Sequence, residues 1–210
     1  MISLLDIGIS NLGSLSNALK KIGAEFDISC DPQNINNAQG IIIPGVGSFS
    51  DGIKSLERLD LINVIKKKSA KGTPILGICL GMQLLANTSQ EFGKHNGLGL
   101  VPGDVVKLNS SNLSKVPNIG WHDIYLDKTN LLFNGINSDD SFYFVHSYVI
   151  KFNYEVDCIG KILHGKEFVI GFFQHKNIFG AQFHPEKSQD SGLKFLSNFA
   201  HHCKMFAREN

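Results

Sequence analysis

The sequence has no long apolar run and no excess of charge of either sign. A helix needs about 20 apolar residues to cross a bilayer, and no hydrophobic stretch approaches that length. The 20 lysines and arginines nearly balance the 19 aspartates and glutamates, which leaves a formal net charge of +1. The basic run Lys66–Lys68 falls on a predicted solvent-exposed helix face. We therefore expect neither a membrane nor a nucleic acid as a partner.

The sequence also has no paired cysteine motif, and we expect no leader segment. A strand-like apolar run begins at Ile2 without a basic segment before it, so no secretory signal is predicted. The four cysteines lie far apart, at Cys30, Cys79, Cys158 and Cys203. This spacing argues against a zinc site and against a disulfide framework. We expect a cytoplasmic protein without a metal or other cofactor, in which all but Cys79 are small apolar residues.

The length of 210 residues fits a single compact domain over residues 1–210. The first half alternates strand-like and helix-like patterns, which predicts a mostly parallel central sheet with helices on both faces. Asn11 is the expected cap of the first helix and Gly23 its end. Strands are predicted at 2–6, 25–29, 40–43 and 74–78, and further helices at 56–71 and from about Gly81.

The second half of the chain changes to short and often alternating strands, predicted at 105–108, 123–126, 141–150 and 168–173. The turn at 163–166 between apolar runs predicts a hairpin. A closing helix carries apolar residues on one face: Leu193, Leu196, Ala200 and Cys203. The fold class expected from both halves is α/β, with three layers and an added small antiparallel β layer.

The most informative segment is the G-x-C-x-G run at residues 77–81, directly after the apolar stretch 74–78. A buried strand that turns into a helix through two glycines exposes the middle side chain at the sheet edge, as in a nucleophile elbow. The N-terminal end of the helix favours the thiolate form of Cys79. Gln83 lies one helical turn later on the same face, so we expect its amide to reach whatever the sulfur attacks.

His184 and Glu186 supply the other groups that a cysteine nucleophile needs. Pro185 biases His184 towards extended backbone, with its ring projecting from a strand end. Glu186 can then accept a hydrogen bond from the ring nitrogen that faces away from sulfur. His146 lies in an aromatic strand and is interpreted as structural. The remaining histidines show no metal-ligand spacing.

The loop at residues 44–49 follows a predicted parallel strand, so it lies at the same carboxyl edge as Cys79. Its glycines allow backbone N–H groups to face a developing oxyanion. A plain β-turn has the same composition, and the loop by itself is therefore weak support for a catalytic site.

Taken together, three runs resemble class I glutamine amidotransferase domains: P-G-V-G-S-F at 44–49, G-I-C-L-G-M-Q at 77–83 and F-H-P-E-K-S at 183–188. Within that class the likeness is strongest to the glutaminase subunits of imidazole glycerol phosphate synthases, which act in histidine biosynthesis and typically carry P-G-V-G at the first run. Residues 97–103, 120–121 and 143–148 add further matches. The likeness extends from Asp6 to the C-terminal helix.

The resemblance implies hydrolysis of L-glutamine to L-glutamate and ammonia through a cysteine thioester. Cys79 would attack the carboxamide carbon, His184 would handle the proton and Glu186 would orient His184. Glutamine and its oxyanion would be held by Val46, Gly47, Leu80, Gln83, Ser147 and Tyr148. Because such subunits have little activity alone, we hypothesise that the Val46–Gly47 peptide must reorient before an oxyanion hole exists.

The resemblance also implies a partner, a (β/α)8-barrel cyclase subunit in a heterodimer. The ammonia would pass to that subunit, which makes imidazole glycerol phosphate and AICAR. Trp121, Tyr143 and Lys187 match positions at this interface. Ammonia released into bulk water would be protonated and lost, so coupling hydrolysis to the partner is physically sensible.

Two runs depart from the usual pattern of these subunits. D-Y-G-x-G-N-L is D-I-G-I-S-N-L at 6–12, and H-M-G-W-N is N-I-G-W-H at 118–122. The departures fit an alternative, an ammonia-supplying glutaminase subunit of an enzyme that amidates surface-polysaccharide sugars. A catalytically silent scaffold is disfavoured because Cys79, His184 and Glu186 are all present. A cysteine peptidase or deglycase is disfavoured by Gln83 and the P-G-V-G loop.

Overall fold

The computed structural model describes residues 1–209, and Asn210, the last residue of the expected domain, lies outside them. The strands in this part of the chain are β1 (Ile2–Leu5), β2 (Phe26–Ser29), β3 (Gly40–Ile43), β4 (Ile75–Ile78), β5 (Thr88–Ser89), β6 (His95–Asn96), β7 (Gly103–Lys107), β8 (Asn118–Asp123), β9 (Tyr125–Leu126), β10 (Ser141–His146), β11 (Tyr148–Phe152), β12 (Cys158–His164), β13 (Glu167–His175) and β14 (Ile178–Ala181). The α-helices are α1 (Leu12–Lys21), α2 (Pro32–Asn37), α3 (Phe49–Arg58), α4 (Leu61–Ala70), α5 (Leu80–Leu84) and α6 (Gln189–Glu209).

The central sheet has eight strands within residues 1–209, in the order β2-β1-β3-β4-β14-β13-β12-β9. The five strands from β2 to β14 are parallel, and the other three extend the sheet in antiparallel pairs. Because β3, β4 and β14 are parallel neighbours, their carboxyl ends meet at one edge. The chain leaves these strands at Pro44, Cys79 and Gln182. This brings together the three runs at 44–49, 77–83 and 183–188 that the sequence singled out.

Helices cover both faces of this sheet, as the continuous apolar runs of its buried strands require. Ile42 and Leu76 pack in one apolar cluster with residues of α1 and α6. Ile41, Ile43 and Ile75 point the other way and pack with residues of α2, α3, α4 and α5. The expected α/β fold with three layers is therefore confirmed.

The added β layer is divided into two small sheets. One has four strands in the order β11-β7-β5-β6, and the other is the antiparallel pair β10–β8. Pairing is antiparallel except between β5 and β7. The predicted hairpin is confirmed as β12–β13, in which His164 pairs with Glu167 across the turn.

Three predicted elements were wrong in extent. The helix predicted at 56–71 is two helices, because Asp60 adopts a left-handed φ of 55° that ends α3 and redirects the chain into α4. The strand predicted at 141–150 is broken at Ser147, and the one at 123–126 is divided between β8 and β9. By contrast, Asn11 caps α1 as predicted, since its side chain accepts a hydrogen bond from the Ser14 N–H.

Candidate active site

Cys79 occupies the tight turn between β4 and α5, with φ 53° and ψ −109°. Its N–H donates to the Ala181 carbonyl at 2.8 Å, which ties the turn to the end of β14. A Cβ on Gly81 would lie 1.7 Å from the Ile43 oxygen, and one on Gly77 would lie 2.6 Å from the Gly81 oxygen. Only glycine fits at either position, so the G-x-C-x-G run builds the strand–turn–helix geometry expected from the sequence.

His184 extends from the end of β14 in the conformation expected before a proline, with φ −98° and ψ 96°. Its Nδ1 lies 2.8 Å from Glu186 Oε1, and both side chains are buried. The backbone is fixed as well, since the His184 N–H donates to the Tyr143 carbonyl at 2.9 Å. Ser188 Oγ donates to the His184 carbonyl at 2.7 Å. The ring is therefore held with its second nitrogen free to face the sulfur.

The charge state of His184 follows from its neighbours. Burial lowers the pKa of the imidazole, but hydrogen bonds to Cys79 and Glu186 outweigh burial and raise it to about 10. His184 therefore carries a proton at neutral pH. A positive charge beside a sulfur favours the thiolate, which is the nucleophilic form of cysteine.

Cys79 and His184 open into a pocket of about 290 Å³. The predicted oxyanion and glutamine-binding residues also line it, which brings every one of them to this single site. The complete lining is Val46, Gly47, Cys79, Leu80, Gln83, Glu91, Pro117, Val145, His146, Ser147, Tyr148 and His184. Glu186 lies behind His184, where it can orient the ring.

The backbone amides expected to form an oxyanion hole are engaged within the protein. The Leu80 N–H donates to the Gly45 carbonyl at 3.3 Å, and the Val46 N–H donates to the Ile9 carbonyl at 2.8 Å. Gly47 has φ 103°, a conformation that favours glycine. In this arrangement neither amide is turned towards a substrate of Cys79.

Gln83 lines the pocket, but its amide nitrogen also bonds to the protein. Gln83 Nε2 donates to the Tyr148 carbonyl at 3.2 Å and to Gln182 Oε1 at 3.0 Å. Gln182 is fully buried, and its Nε2 lies 3.8 Å from Cys79 Sγ. Gln182 was not among the predicted site residues. Its spacing of two from His184 on an extended segment was the available indication that both residues share a face.

Glu91 also lines the pocket and was not among the predicted site residues. Only 8% of this residue is exposed, and its Oε2 accepts a hydrogen bond from the Phe49 N–H at 2.6 Å. Glu91 lies in a short polar segment without helical or strand periodicity, so no local pattern indicates that it faces the pocket. A buried carboxylate at this place is available to a positively charged group of a ligand.

The three predicted interface residues form one continuous patch beside the His184 turn. Trp121 and Tyr143 are cross-strand partners on β8 and β10, with ring centroids 5.8 Å apart. Lys187 Nζ lies 5.8 Å from the centre of the Tyr143 ring. Trp121 is 47% exposed, and the Tyr143 N–H donates to Ser188 Oγ at 3.0 Å. The exposed patch is thus bonded directly to the segment that holds His184.

Among residues 1–209, no group of three or more His, Cys, Asp or Glu side chains is placed to hold a metal ion. Over the same residues, no helix combines the length and apolar character needed to cross a membrane.

Comparison with known proteins agrees with this geometry. The family model described as glutamine amidotransferase class-I matches residues 3–203. The imidazole glycerol phosphate synthase subunit HisH of Sulfurimonas denitrificans is 45% identical over 202 residues, covering 95% of this chain and 97% of that protein. The protein of the same name from Aquifex aeolicus is 41% identical and is matched over 93% of both chains.

Solved structures show the same fold at lower identity. The structure of PurLQS from Thermotoga maritima has a TM-score of 0.73 at 19% identity, covering 96% of this chain and 97% of that one. A glutamine amidotransferase from the same organism has a TM-score of 0.62 at 16% identity, covering 99% and 94%. Because the family model matches nearly the whole chain, around a pocket that contains Cys79 and His184, this chain belongs to the class I glutamine amidotransferase family.

Proposed function

We propose that this chain is the glutaminase subunit of an imidazole glycerol phosphate synthase and supplies ammonia in histidine biosynthesis. The observation that carries the chemistry is the buried 2.8 Å hydrogen bond between His184 Nδ1 and Glu186 Oε1, in a chain whose Cys79 opens into the same pocket as His184. The pathway is supported by relatives named as subunits of that synthase, which are 45% and 41% identical over nearly their full length.

In the first half of the reaction, the Cys79 thiolate attacks the carboxamide carbon of L-glutamine and forms a tetrahedral oxyanion. The protonated His184 gives its proton to the amide nitrogen as the carbon–nitrogen bond breaks. Ammonia leaves, and a γ-glutamyl thioester remains on Cys79. Glu186 keeps the ring oriented and stabilises its positive charge.

In the second half, the now neutral His184 takes a proton from water as the water oxygen attacks the thioester carbon. The second tetrahedral intermediate collapses, the carbon–sulfur bond breaks and L-glutamate leaves. Cys79 returns as a thiolate and His184 as an imidazolium, so one molecule of water is consumed for each ammonia released.

The oxyanion would be held by the Leu80 N–H and by an N–H of the Val46–Gly47 segment. Both the Leu80 and Val46 amides currently donate to protein carbonyls. The loop must therefore change before the hole can form, in line with the hypothesis that the Val46–Gly47 peptide reorients. Gly47 can accommodate the change because its φ of 103° is not fixed by a side chain.

The rest of the glutamine molecule lies along the pocket lining. Gln83 and the Ser147–Tyr148 backbone hold its polar groups beside Cys79. Glu91 accepts the α-ammonium, because it places a buried negative charge at the pocket wall. These contacts favour a free amino acid over a peptide, whose nitrogen carries no such charge.

The patch of Trp121, Tyr143 and Lys187 binds the cyclase subunit, a (β/α)8 barrel that receives the ammonia. An exposed tryptophan beside a tyrosine is typical of an interface anchor. The hydrogen bond from the Tyr143 N–H to Ser188 Oγ connects this patch to the His184 turn. This connection supports a subunit whose activity depends on its partner.

The test is glutamate release from glutamine by the purified chain, alone and with the cyclase subunit and its ribonucleotide ligand. Strong stimulation that is lost in a Cys79→Ala variant is the expected result. If glutamine forms a thioester on Cys79 but the cyclase has no effect, the histidine pathway is wrong and the sugar-amidating alternative stands. If no thioester forms at all, glutaminase chemistry itself is wrong.

A further inference from the structure

A continuous chain of hydrogen bonds leads from the glutamine pocket to His122, a partly buried residue on the same face of β8 as Asn118. His146 Nδ1 lies 2.8 Å from the Tyr148 carbonyl, to which Gln83 Nε2 also donates. His146 Nε2 lies 3.1 Å from Asn118 Nδ2. Asn118 Oδ1 lies 3.0 Å from His122 Nε2. His146 and Asn118 are each only 5% exposed.

The hydrogen positions in this chain follow from its chemistry. Burial lowers the pKa of His146 to about 4, so the ring is neutral at pH 7 and carries one hydrogen. That hydrogen lies on Nδ1, because the Tyr148 carbonyl can only accept. His146 Nε2 is then an acceptor for the Asn118 amide, and Asn118 Oδ1 accepts from His122. All three side chains therefore have a single consistent orientation.

The position of His146 is unusual for its strand. Phe142, Phe144 and His146 alternate along the buried face of β10, and both phenylalanines are almost completely buried. A third apolar side chain would pack in this row without needing a hydrogen-bond partner. The polar residue occurs where the row reaches the pocket, and its cross-strand partner on β8 is Asn118.

The chain ends on a peptide segment that forms the pocket wall. The Tyr148 carbonyl accepts two hydrogen bonds, one from His146 and one from Gln83. The Ser147 carbonyl accepts one from the Leu108 N–H at 2.9 Å. The break between β10 and β11 at Ser147 is thus held by side chains and a neighbouring strand. Without the His146 bond, Gln83 would be the remaining side-chain donor to the Tyr148 carbonyl among residues 1–209.

We propose that Asn118 and His146 are positioning residues, which fix the Tyr148 carbonyl and through it the Gln83 amide and the Ser147–Tyr148 wall of the glutamine pocket. This inference rests on the proposed function, since it assigns the two residues to glutamine binding. Neither residue takes part in bond making or breaking. Their loss therefore affects substrate affinity and leaves the chemistry of Cys79, His184 and Glu186 in place.

The test compares Asn118→Leu, His146→Leu and the double variant with a matched control, Asn130→Leu. Asn130 is also buried, at 7% exposure, and its side chain also makes two hydrogen bonds, but with Gln174 and the Leu132 N–H outside the pocket. Glutamine affinity is measured by calorimetry in a Cys79→Ala background. KM and kcat for hydrolysis are measured with Cys79 intact, and unfolding curves report stability.

Asn118→Leu and His146→Leu are each expected to weaken glutamine binding and raise KM about tenfold, with kcat within about twofold of the parent. The double variant should weaken binding no more than the His146→Leu variant, because both changes interrupt one chain. Asn130→Leu should lower stability by a similar amount without changing KM. Equal KM values in all three single variants would overturn the positioning role, as would a fall in kcat at unchanged KM.

A second measurement uses the unsubstituted chain and therefore does not depend on whether a variant folds. In the parent chain, ¹⁵N chemical shifts of the His146 ring should show hydrogen on Nδ1 and none on Nε2 at pH 7. An imidazolium or the opposite tautomer would overturn the inferred chain. If the Cys79→Ala chain does not bind glutamine, the proposed function fails. If it binds glutamine, and the Asn118 and His146 variants in the same background bind it equally well, only the role of Asn118 and His146 is contradicted.

Discussion

Substitution of Gly81 by alanine is the most direct test of how Cys79 is placed. The added Cβ would lie 1.7 Å from the Ile43 oxygen and 2.7 Å from the Ile43 carbon. These are backbone atoms of β3, so no rotamer change can relieve the overlap, and helix α5 must move away from the sheet. Overpacking of a core commonly costs about 1–3 kcal/mol. Because the new Cβ would meet rigid backbone, we expect the cost of Gly81→Ala to reach about 3 kcal/mol or more.

For a chain of this size, a loss of about 3 kcal/mol corresponds to a fall of roughly 6–12 °C in Tm. The control is Gly13→Ala in α1, where the new Cβ would lie 3.9 Å from Asn11 Oδ1, an ordinary van der Waals contact. That change should leave Tm equal or slightly higher, because alanine has the better helix propensity. Calorimetry and thioester trapping at Cys79 give the two readouts. If Gly81→Ala unfolds within about 1 kcal/mol of the parent, the close approach of α5 to β3 is wrong.

Three further changes test separate parts of the site. Glu91→Gln should weaken glutamine binding about 10- to 100-fold in calorimetry with the Cys79→Ala chain, since a charged hydrogen bond is lost; unchanged affinity would place the α-ammonium elsewhere. Because the folded pKa of His184 is raised to about 10, its protonation stabilises the chain fully below pH 6.5 and less as the pH rises towards 10. Glu186→Gln should shrink this pH-dependent loss in urea unfolding and reduce glutamine turnover at least about 100-fold, and an identical pH profile would contradict the pairing. Trp121→Ala should weaken the complex with the cyclase subunit at least about 30-fold in sedimentation experiments, without changing Tm.

The sequence predicted the elements that local patterns determine. β3 was predicted at 40–43 and is Gly40–Ile43, because a continuous apolar run ends at a proline and glycine. The division of the helix predicted at 56–71 was missed, since apolar spacing continues through the break. Asp60 produces the break by adopting a left-handed φ of 55°, which aspartate tolerates better than most residues. Whether it does so depends on how α3 and α4 pack, and a local pattern does not contain that information.

The same distinction applies to the candidate site. Cys79 and His184 follow strands, so strand order alone brings them together at one sheet edge. Gln182 bonds to a residue 99 positions away, Glu91 to one 42 away and Asn118 to one 28 away. These polar contacts arise only after the sheets have packed. Cys79, His184 and Glu186 were therefore predictable from motifs, whereas the contacts of Gln182, Glu91 and Asn118 were not.

The resting site combines a protonated His184 with backbone amides that are not available to an oxyanion. We infer that the partner acts on the oxyanion hole and not on the nucleophile. The rate of alkylation at Cys79 distinguishes these two effects. Iodoacetamide is attacked at a saturated carbon and needs no oxyanion hole, so its rate at Cys79 should stay within about threefold when the cyclase binds. Glutamine hydrolysis should rise by about 10²–10³, the usual contribution of one oxyanion donor. Exposed Cys30 provides an internal reference in the same mass spectrum. If both rates at Cys79 rise in parallel, the partner activates the thiolate and the amides of Leu80 and Val46 are not the point of control.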